Sequence, residues 1–430
     1  MKPLTFKQLD ETLYHEKLDN GLDVYILPKE GFNKTYATFT TKYGSIDNKF
    51  TPLGGKDPLH VPDGIAHFLE HKMFEDENGD VFQDFSKQGA SANAFTSFTR
   101  TAYLFSSTSN VEQNLETLMN FVQHPYFTEE SVEKEKGIIG QEITMYDDNP
   151  DWRAYFGVIE NMFVHHPVKL DIAGTIESIS NVTKDLLYTC YETFYHPNNM
   201  LLFIIGPVNP EEMMQQVREN QEKKSFSKPK DIERFFDEEP MKVATEKNVI
   251  RMPVHTPKCL VGFKESNPTR QGEELLKREL SMNILLDLMF GQSSSNYQKL
   301  HEDGLIDDSF SFDYSAEEGF GFTILGGDTN KPDELADAIK EMVTTFKQSD
   351  LDEQMVRRAV KKKIGSFLRS LNSPEYIANQ FTRYEFNKMN LFDVVPVLET
   401  ITADHLKNVL NEHFDFDRFT VCQVRAEETE

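Results

Sequence analysis

Val182-Thr183-Lys184-Asp185-Leu186 and Ile401-Thr402-Ala403-Asp404-His405-Leu406 are two versions of one signal in a chain of 430 residues. Their threonines lie 219 residues apart (402 − 183), close to half the chain. Eighteen residues past each Thr an apolar strand begins, Leu201 to Ile205 in one half and Thr420 to Val424 in the other. A repeat at half the chain length points to duplication of one structural unit.

The beginnings of the halves agree with that reading. Leu22 to Leu27 and Tyr36 to Thr41 are rich in β-branched and aromatic residues, and Asn20-Gly21 and Gly44-Ser45 bound them, as expected of strands. A helix follows from near Asp63. In the second half, Cys259 to Phe263 precedes an amphipathic stretch, Glu273 to Phe290, whose Leu275, Leu276, Leu280, Ile284, Leu285 and Leu288 recur at helical spacing. Strands and helices alternating in clusters give an α+β class with two domains. Between them, Gln216 to Lys247 is rich in Lys and Glu, carries Ser225-Phe226-Ser227-Lys228-Pro229-Lys230 and lacks a sustained apolar period, so it reads as a linker with some helix. The expected division is 1–215, 216–247 and 248–430.

A formal charge of −26 repels phosphate backbones and anionic lipid surfaces, which argues against nucleic-acid and membrane-surface roles. Hydrophobic residues at 38%, with 34 Phe, are ample for packed interiors. Cys190, Cys259 and Cys422 are too dispersed for a disulfide framework or a thiolate metal site. Residues Met1 to Asp23 read neither as a secretory signal nor as a transit peptide, and the longest apolar run, Met200 to Ile205, is too short to span a bilayer. A cytoplasmic location is expected.

The chemistry concentrates in His67-Phe68-Leu69-Glu70-His71. Helical spacing puts His67, Glu70 and His71 on one face, with Ile65, Phe68 and Leu69 on an arc away from it. Two neutral imidazoles suit Zn²⁺, and the carboxylate between them can hold the proton of a water that the metal acidifies. With 12 His and 71 acidic residues, chance yields only roughly 0.05 such patterns per chain. A three-ligand site needs one more donor, and the helix-like stretch Glu129 to Tyr146 offers Glu133, Glu135 and Glu142, among which spacing does not choose. On that stretch Glu135, Ile138, Ile139 and Glu142 share a face, two carboxylates flanking a buried aliphatic patch.

Gly64-Ile65-Ala66-His67-Phe68-Leu69-Glu70-His71-Lys72-Met73-Phe74 resembles the inverted zinc motif of the pitrilysin and insulysin type of peptidase, to which the mitochondrial processing peptidase also belongs. The resemblance runs over nearly the whole chain. It implies two homologous domains, each a mainly antiparallel sheet flanked by helices, together forming half a clamshell. It also implies one zinc held by His67, His71 and Glu142, which lies 71 residues past His71, with Glu70 as catalytic base and Glu135 supporting the ligands. Ala92-Asn93-Ala94-Phe95-Thr96-Ser97 is similar to the family's substrate-binding edge strand, with Asn93 and Ala94 nearest the metal. Gly174-Thr175-Ile176-Glu177-Ser178-Ile179 and Tyr195-His196-Pro197-Asn198-Asn199-Met200 are similar to structural signatures of the same domain.

One departure matters. Single-chain and homodimeric relatives carry an Arg and a Tyr in the second half, whereas Leu300-His301-Glu302-Asp303-Gly304-Leu305-Ile306-Asp307 has His301 and Asp307 at those places. The resemblance is therefore greatest to the zinc-bearing chain of two-chain bacterial members, whose homologous partner would supply the pair. The expectation is a zinc endopeptidase acting on peptides or unfolded segments, the alternative being a non-catalytic scaffold subunit. The insertion Thr51 to Pro62 departs from the family's short loop. Asp76-Glu77-Asn78-Gly79-Asp80 lacks the alternation of a calcium loop and reads as a turn. His60, His165, His166, His196 and His301 have no ligand-spaced partner and read as surface or structural.

Overall fold

The computed structural model describes residues 1–77, 79–228 and 230–427; Asn78 of the acidic turn and Pro229 of the expected linker lie outside them. In chain order the strands are β1 (Lys2–Phe6), β2 (Glu11–Lys17), β3 (Asp23–Pro28), β4 (Thr35–Thr41), the short β5 (Lys49–Phe50), β6 (Leu59–His60), β7 (Glu75–Asp76) and β8 (Gly79–Asp80), then β9 (Ala90–Thr96), β10 (Thr101–Ser107), β11 (Met200–Gly206), β12 (Lys247–Arg251), β13 (Lys258–Lys264), β14 (Ser311–Glu317), β15 (Phe320–Asp328) and β16 (Phe419–Arg425). The first five helices are α1 (Ile65–Lys72), α2 (Phe82–Lys87), α3 (Val111–Val122), α4 (Glu129–Asp147) and α5 (Pro150–Met162).

Two large sheets form, ordered β1-β2-β3-β11-β4-β10-β9 and β12-β16-β13-β15-β14. The pairings are antiparallel except β3 with β11 and β12 with β16. The last five strands of the first sheet thus repeat the second in order and orientation. Register carries the repeat to single residues. Met200, Thr41, Thr101 and Thr96 lie in line across the first sheet, as Phe419, Phe263, Thr323 and Tyr314 do across the second. The threonines of the sequence repeat are helix caps: Thr183 accepts from Leu186 N and Thr402 from His405 N, each at 3.2 Å. His196 and Asp415, the same 219 residues apart, cap the 3₁₀ turns that lead into β11 and β16. The chain holds two homologous α+β domains. The strands predicted from Leu22, Tyr36, Cys259, Leu201 and Thr420 all form; β1 and β2, too polar for the sequence pattern to mark, extend the first sheet.

The compact units are not contiguous in sequence. One comprises Met1–Ile143, Leu170–Phe236 and Ser370–Phe386, the other Thr144–Lys169, Asp237–Arg369 and Asn387–Glu430. This differs from a division at 215 and 248, because each sheet takes a covering helix from the opposite half of the chain. In the first unit, helix Pro374–Phe386 packs on β4 and β11, with Phe381 against Phe203 and Tyr25 at ring distances of 4.8 Å and Tyr25 OH donating to Glu385 at 2.9 Å. In the second unit, α5 lies on β13 and β16, and Asn161 Nδ2 donates to Val421 O at 3.1 Å. A Cβ on Gly157 would lie 2.7 Å from Cys422 Sγ, so only glycine allows this helix so close to the sheet.

The expected linker is also less free than its composition suggests. Its end is pinned to the first unit: Arg234 bridges to Phe50, Phe235 N donates to Lys49 O and Thr51 N to Glu233 O, each at 2.9 Å. Arg234 Nε reaches the buried Asp47 carboxylate at 2.7 Å. The Thr51–Pro62 insertion is the turn and return strand of the β5–β6 hairpin, held by Leu53 N on Thr193 Oγ1 and Val61 N on Asn48 O.

Candidate metal centre

α1 begins at Gly64, whose φ of 86° suits glycine. A Cβ there would meet Ala173 O at 2.3 Å, and one on Gly174 would meet Asp63 O at 2.4 Å. Ser178 Oγ also donates to Asp63 O at 2.8 Å. The segment Gly174–Ser178 therefore fixes where α1 starts, which is the local reason for its composition. Ile65, Phe68 and Leu69 anchor the helix in the core. His67 and Glu70 are themselves only 9% exposed, so the polar face is more enclosed than an open cleft wall.

Glu142 of α4 meets this face. His67 Nε2 lies 3.8 Å from Glu142 Oε1 and His71 Nε2 lies 3.5 Å from Glu142 Oε2. Among the described residues, His67, His71 and Glu142 form a group whose ligand atoms all fall within 4.8 Å of one another. Glu135 touches the other ring nitrogen of His71, its Oε1 lying 3.0 Å from Nδ1. A carboxylate only accepts, so Nδ1 is the donor in that contact and Nε2 is the nitrogen directed at Glu142, the usual arrangement behind a ligating histidine. Glu133 is elsewhere, paired with Lys136 at 2.5 Å. Ile139 is buried, but Ile138 is 45% exposed, so the expected apolar patch between the carboxylates is only half covered: its other edge faces outward on α4.

Burial, then the neighbouring His71, pushes His67 down to about 4. Burial opposes charge on His71 too, but the Glu135 hydrogen bond and the nearby carboxylates outweigh it and raise that residue. Burial raises Glu70 to about 7, against the pull of His71 and a hydrogen bond from Thr96. Glu70 points instead to β9, where Thr96 Oγ1 lies 3.4 Å from its Oε2. Among the described residues β9 has one strand neighbour, β10, and forms the outer strand of its sheet, with Asn93 exposed and Ala94 N donating to Asn93 Oδ1 at 2.9 Å.

The remaining candidates are not members of this group. His166 is buried and accepts from Val168 N, and His196 accepts from Asn198 N. His301 and Asp307 are exposed on the second unit, Asp307 accepting from Ser309 N and Oγ at 2.9 and 2.6 Å. Sequence reasoning missed a buried ionic cluster in that unit. Glu265 accepts from Arg278 at 2.8 and 3.1 Å, from Arg270 at 3.1 Å and from Tyr314 OH at 2.6 Å, with His413 Nδ1 at 3.3 Å. Its members come from distant segments, so no spacing pattern announces it.

A model described as the insulinase peptidase M16 family matches residues 61–176, and one described as the peptidase M16 inactive domain matches 181–363. The chain belongs to the M16 family of peptidases. It is 66% identical to the uncharacterized zinc protease YmfH of Bacillus subtilis over 99% of both chains. A crystal structure of an M16-like peptidase from Alicyclobacillus acidocaldarius superposes with a TM-score of 0.94 at 42% identity, covering 97% of this chain and 99% of that one. Pitrilysin shares the fold at a TM-score of 0.74 and 16% identity, this chain spanning 47% of it. Among the described residues, no helix is long and apolar enough to cross a membrane.

Proposed function

We propose that this chain is a zinc-dependent endopeptidase acting on peptides or unfolded segments, with its chemistry confined to the first unit. The observation that carries the reading is the convergence of His67 Nε2, His71 Nε2 and a Glu142 oxygen from two helices. Two imidazoles and one carboxylate are a donor set that Zn²⁺ favours, and the Glu135 contact presents His71 in the ligating tautomer, so the residues fit that ion. His67, His71 and Glu142 would hold it. When bound, such an ion supplies Lewis-acid polarisation of the scissile carbonyl and acidifies water to a pKa of about 7.

The chain's own residues do the rest. Glu70, with a pKa raised to about 7, is matched to accept a proton from the attacking water and return it to the leaving amine. The outer strand β9 offers main-chain groups at Asn93 and Ala94 against which an extended substrate can pair, giving affinity with loose side-chain selectivity. Purified protein should carry about one zinc per chain, as a single three-ligand site requires. His71→Ala should lose it by elemental analysis while His165→Ala keeps it, and chelator should stop cleavage of unstructured peptides. Full zinc in His71→Ala would refute the site.

A homologous partner chain belongs to the same proposal, since His301 and Asp307 replace the Arg and Tyr that relatives carry. Oriented donors of that kind are worth roughly 10²- to 10³-fold in turnover. The isolated chain should bind zinc yet cleave slowly, and a partner bearing the pair should raise turnover by about that factor. Full activity from this chain alone, with mass spectrometry excluding a co-purified partner, would refute the two-chain arrangement and leave the zinc site standing.

A further inference from the structure

We infer that Thr96, backed by Thr101, is the positioning residue that aims the Glu70 carboxylate; the inference rests on the base role proposed for Glu70. Ladder register sets Thr96 of β9 opposite Thr101 of β10. Thr101 is fully buried, and its hydroxyl donates to Tyr43 O at 2.9 Å. A hydroxyl has one proton, so toward Thr96 the Thr101 oxygen can only accept. Thr96 Oγ1 stands 3.4 Å from Glu70 Oε2 and 3.4 Å from Thr101 Oγ1. Its single proton therefore has two acceptors at equal distance, and an ionised carboxylate is the stronger of them.

Donating to Oε2, Thr96 holds the Glu70 carboxylate in one rotamer, and Thr101, tied to the Tyr43 carbonyl, holds Thr96 in place. Long hydrogen bonds of this kind in a ligand-free site tighten when substrate is bound. The second unit is built differently: Tyr314 stands in the register position of Thr96 and its hydroxyl donates to Glu265.

Thr96→Val keeps shape and strand propensity but removes the donor, while Thr96→Ser keeps the donor. A hydrogen bond to a charged group corresponds to about a ten- to hundredfold effect. With an internally quenched unstructured peptide, Thr96→Val should lower kcat by that factor at unchanged KM and zinc content, and Thr96→Ser should restore it to within about threefold. Independently of turnover, ¹³C NMR of the Glu-labelled full chain should show the Glu70 carboxyl resonance, identified by its loss in Glu70→Gln, shifted in Thr96→Val and unmoved in Thr96→Ser. An unmoved resonance in Thr96→Val, or a change confined to KM, would overturn the assignment. Wild-type kcat in Thr96→Val beside an inactive Glu70→Gln rejects Thr96 alone, whereas an active Glu70→Gln rejects the reading on which it rests.

Discussion

Glu70→Gln is expected to keep its zinc and its fold while turnover falls by at least about 10²- to 10⁴-fold, the usual contribution of a positioned general base. The substitution is nearly isosteric, and Glu70 is not among the converging ligand atoms, so metal content should not change. What it removes is the one carboxylate on the polar face of α1, a group that burial holds at a pKa of about 7. Glu135 cannot readily take over, because its carboxylate is engaged by His71 Nδ1 at 3.0 Å. Peptide cleavage and elemental analysis on the same preparation decide the matter. Appreciable turnover with full zinc would require a different base.

The second large effect should appear in the second unit. Glu265→Gln is expected to destabilise the second unit by about 3–5 kcal/mol, the cost of breaking a buried pair, because the Glu412 carboxylate that Arg278 keeps at 3.4 Å is 43% exposed and cannot replace the buried one. Glu265 and Arg278 are each 3% exposed at the side chain, so water cannot replace the lost charge. Burial alone would raise the Glu265 carboxyl, but hydrogen bonds from His413 and Arg278 hold it well below the usual carboxylate range. Its folded pKa being depressed, this contribution is complete above the unfolded value of about 4.3 and is lost only as pH falls toward the folded one. Hydrogen exchange of the β13 and β15 amides should quicken by about 10²- to 4 × 10³-fold, at about 1.4 kcal/mol per decade. An effect no larger than that of breaking the exposed Lys87–Asp84 pair would contradict the assignment of this cluster as the unit's electrostatic centre.

The cluster gains meaning from the duplication. Glu265 follows Phe263 by two residues as Tyr43 follows Thr41, and those two positions are equivalent across the sheets. Tyr314 and Thr323 occupy the register places of Thr96 and Thr101. Where the first unit arranges polar groups around Glu70, the second fills the same corner of its sheet with a self-satisfied ionic network. One topology thus hosts a group of candidate metal-binding side chains in one copy and a closed ionic network in the other, because buried charge is tolerated only when it is paired.

By itself the sequence determined what short-range periodicity controls. The strands at Tyr36 and Met200 are legible because central strands, buried on both faces, are rich in β-branched, aromatic and aliphatic residues, and His67, Glu70 and His71 must share a face once residues 65–72 are helical. The 219-residue offset likewise exposed the duplication, since caps and the strands that follow them are local signals. Tertiary structure alone decided the rest. Convergence of Glu142 rather than Glu133 on the two histidines depends on how α4 is rotated against α1, which no spacing within α4 encodes. The exchange of α5 and helix Pro374–Phe386 between the units, and the meeting of Glu265 with His413, join residues that chain distance separates. Such contacts are selected by the packing free energy of whole surfaces, to which each residue adds too little for its own neighbours in sequence to reveal.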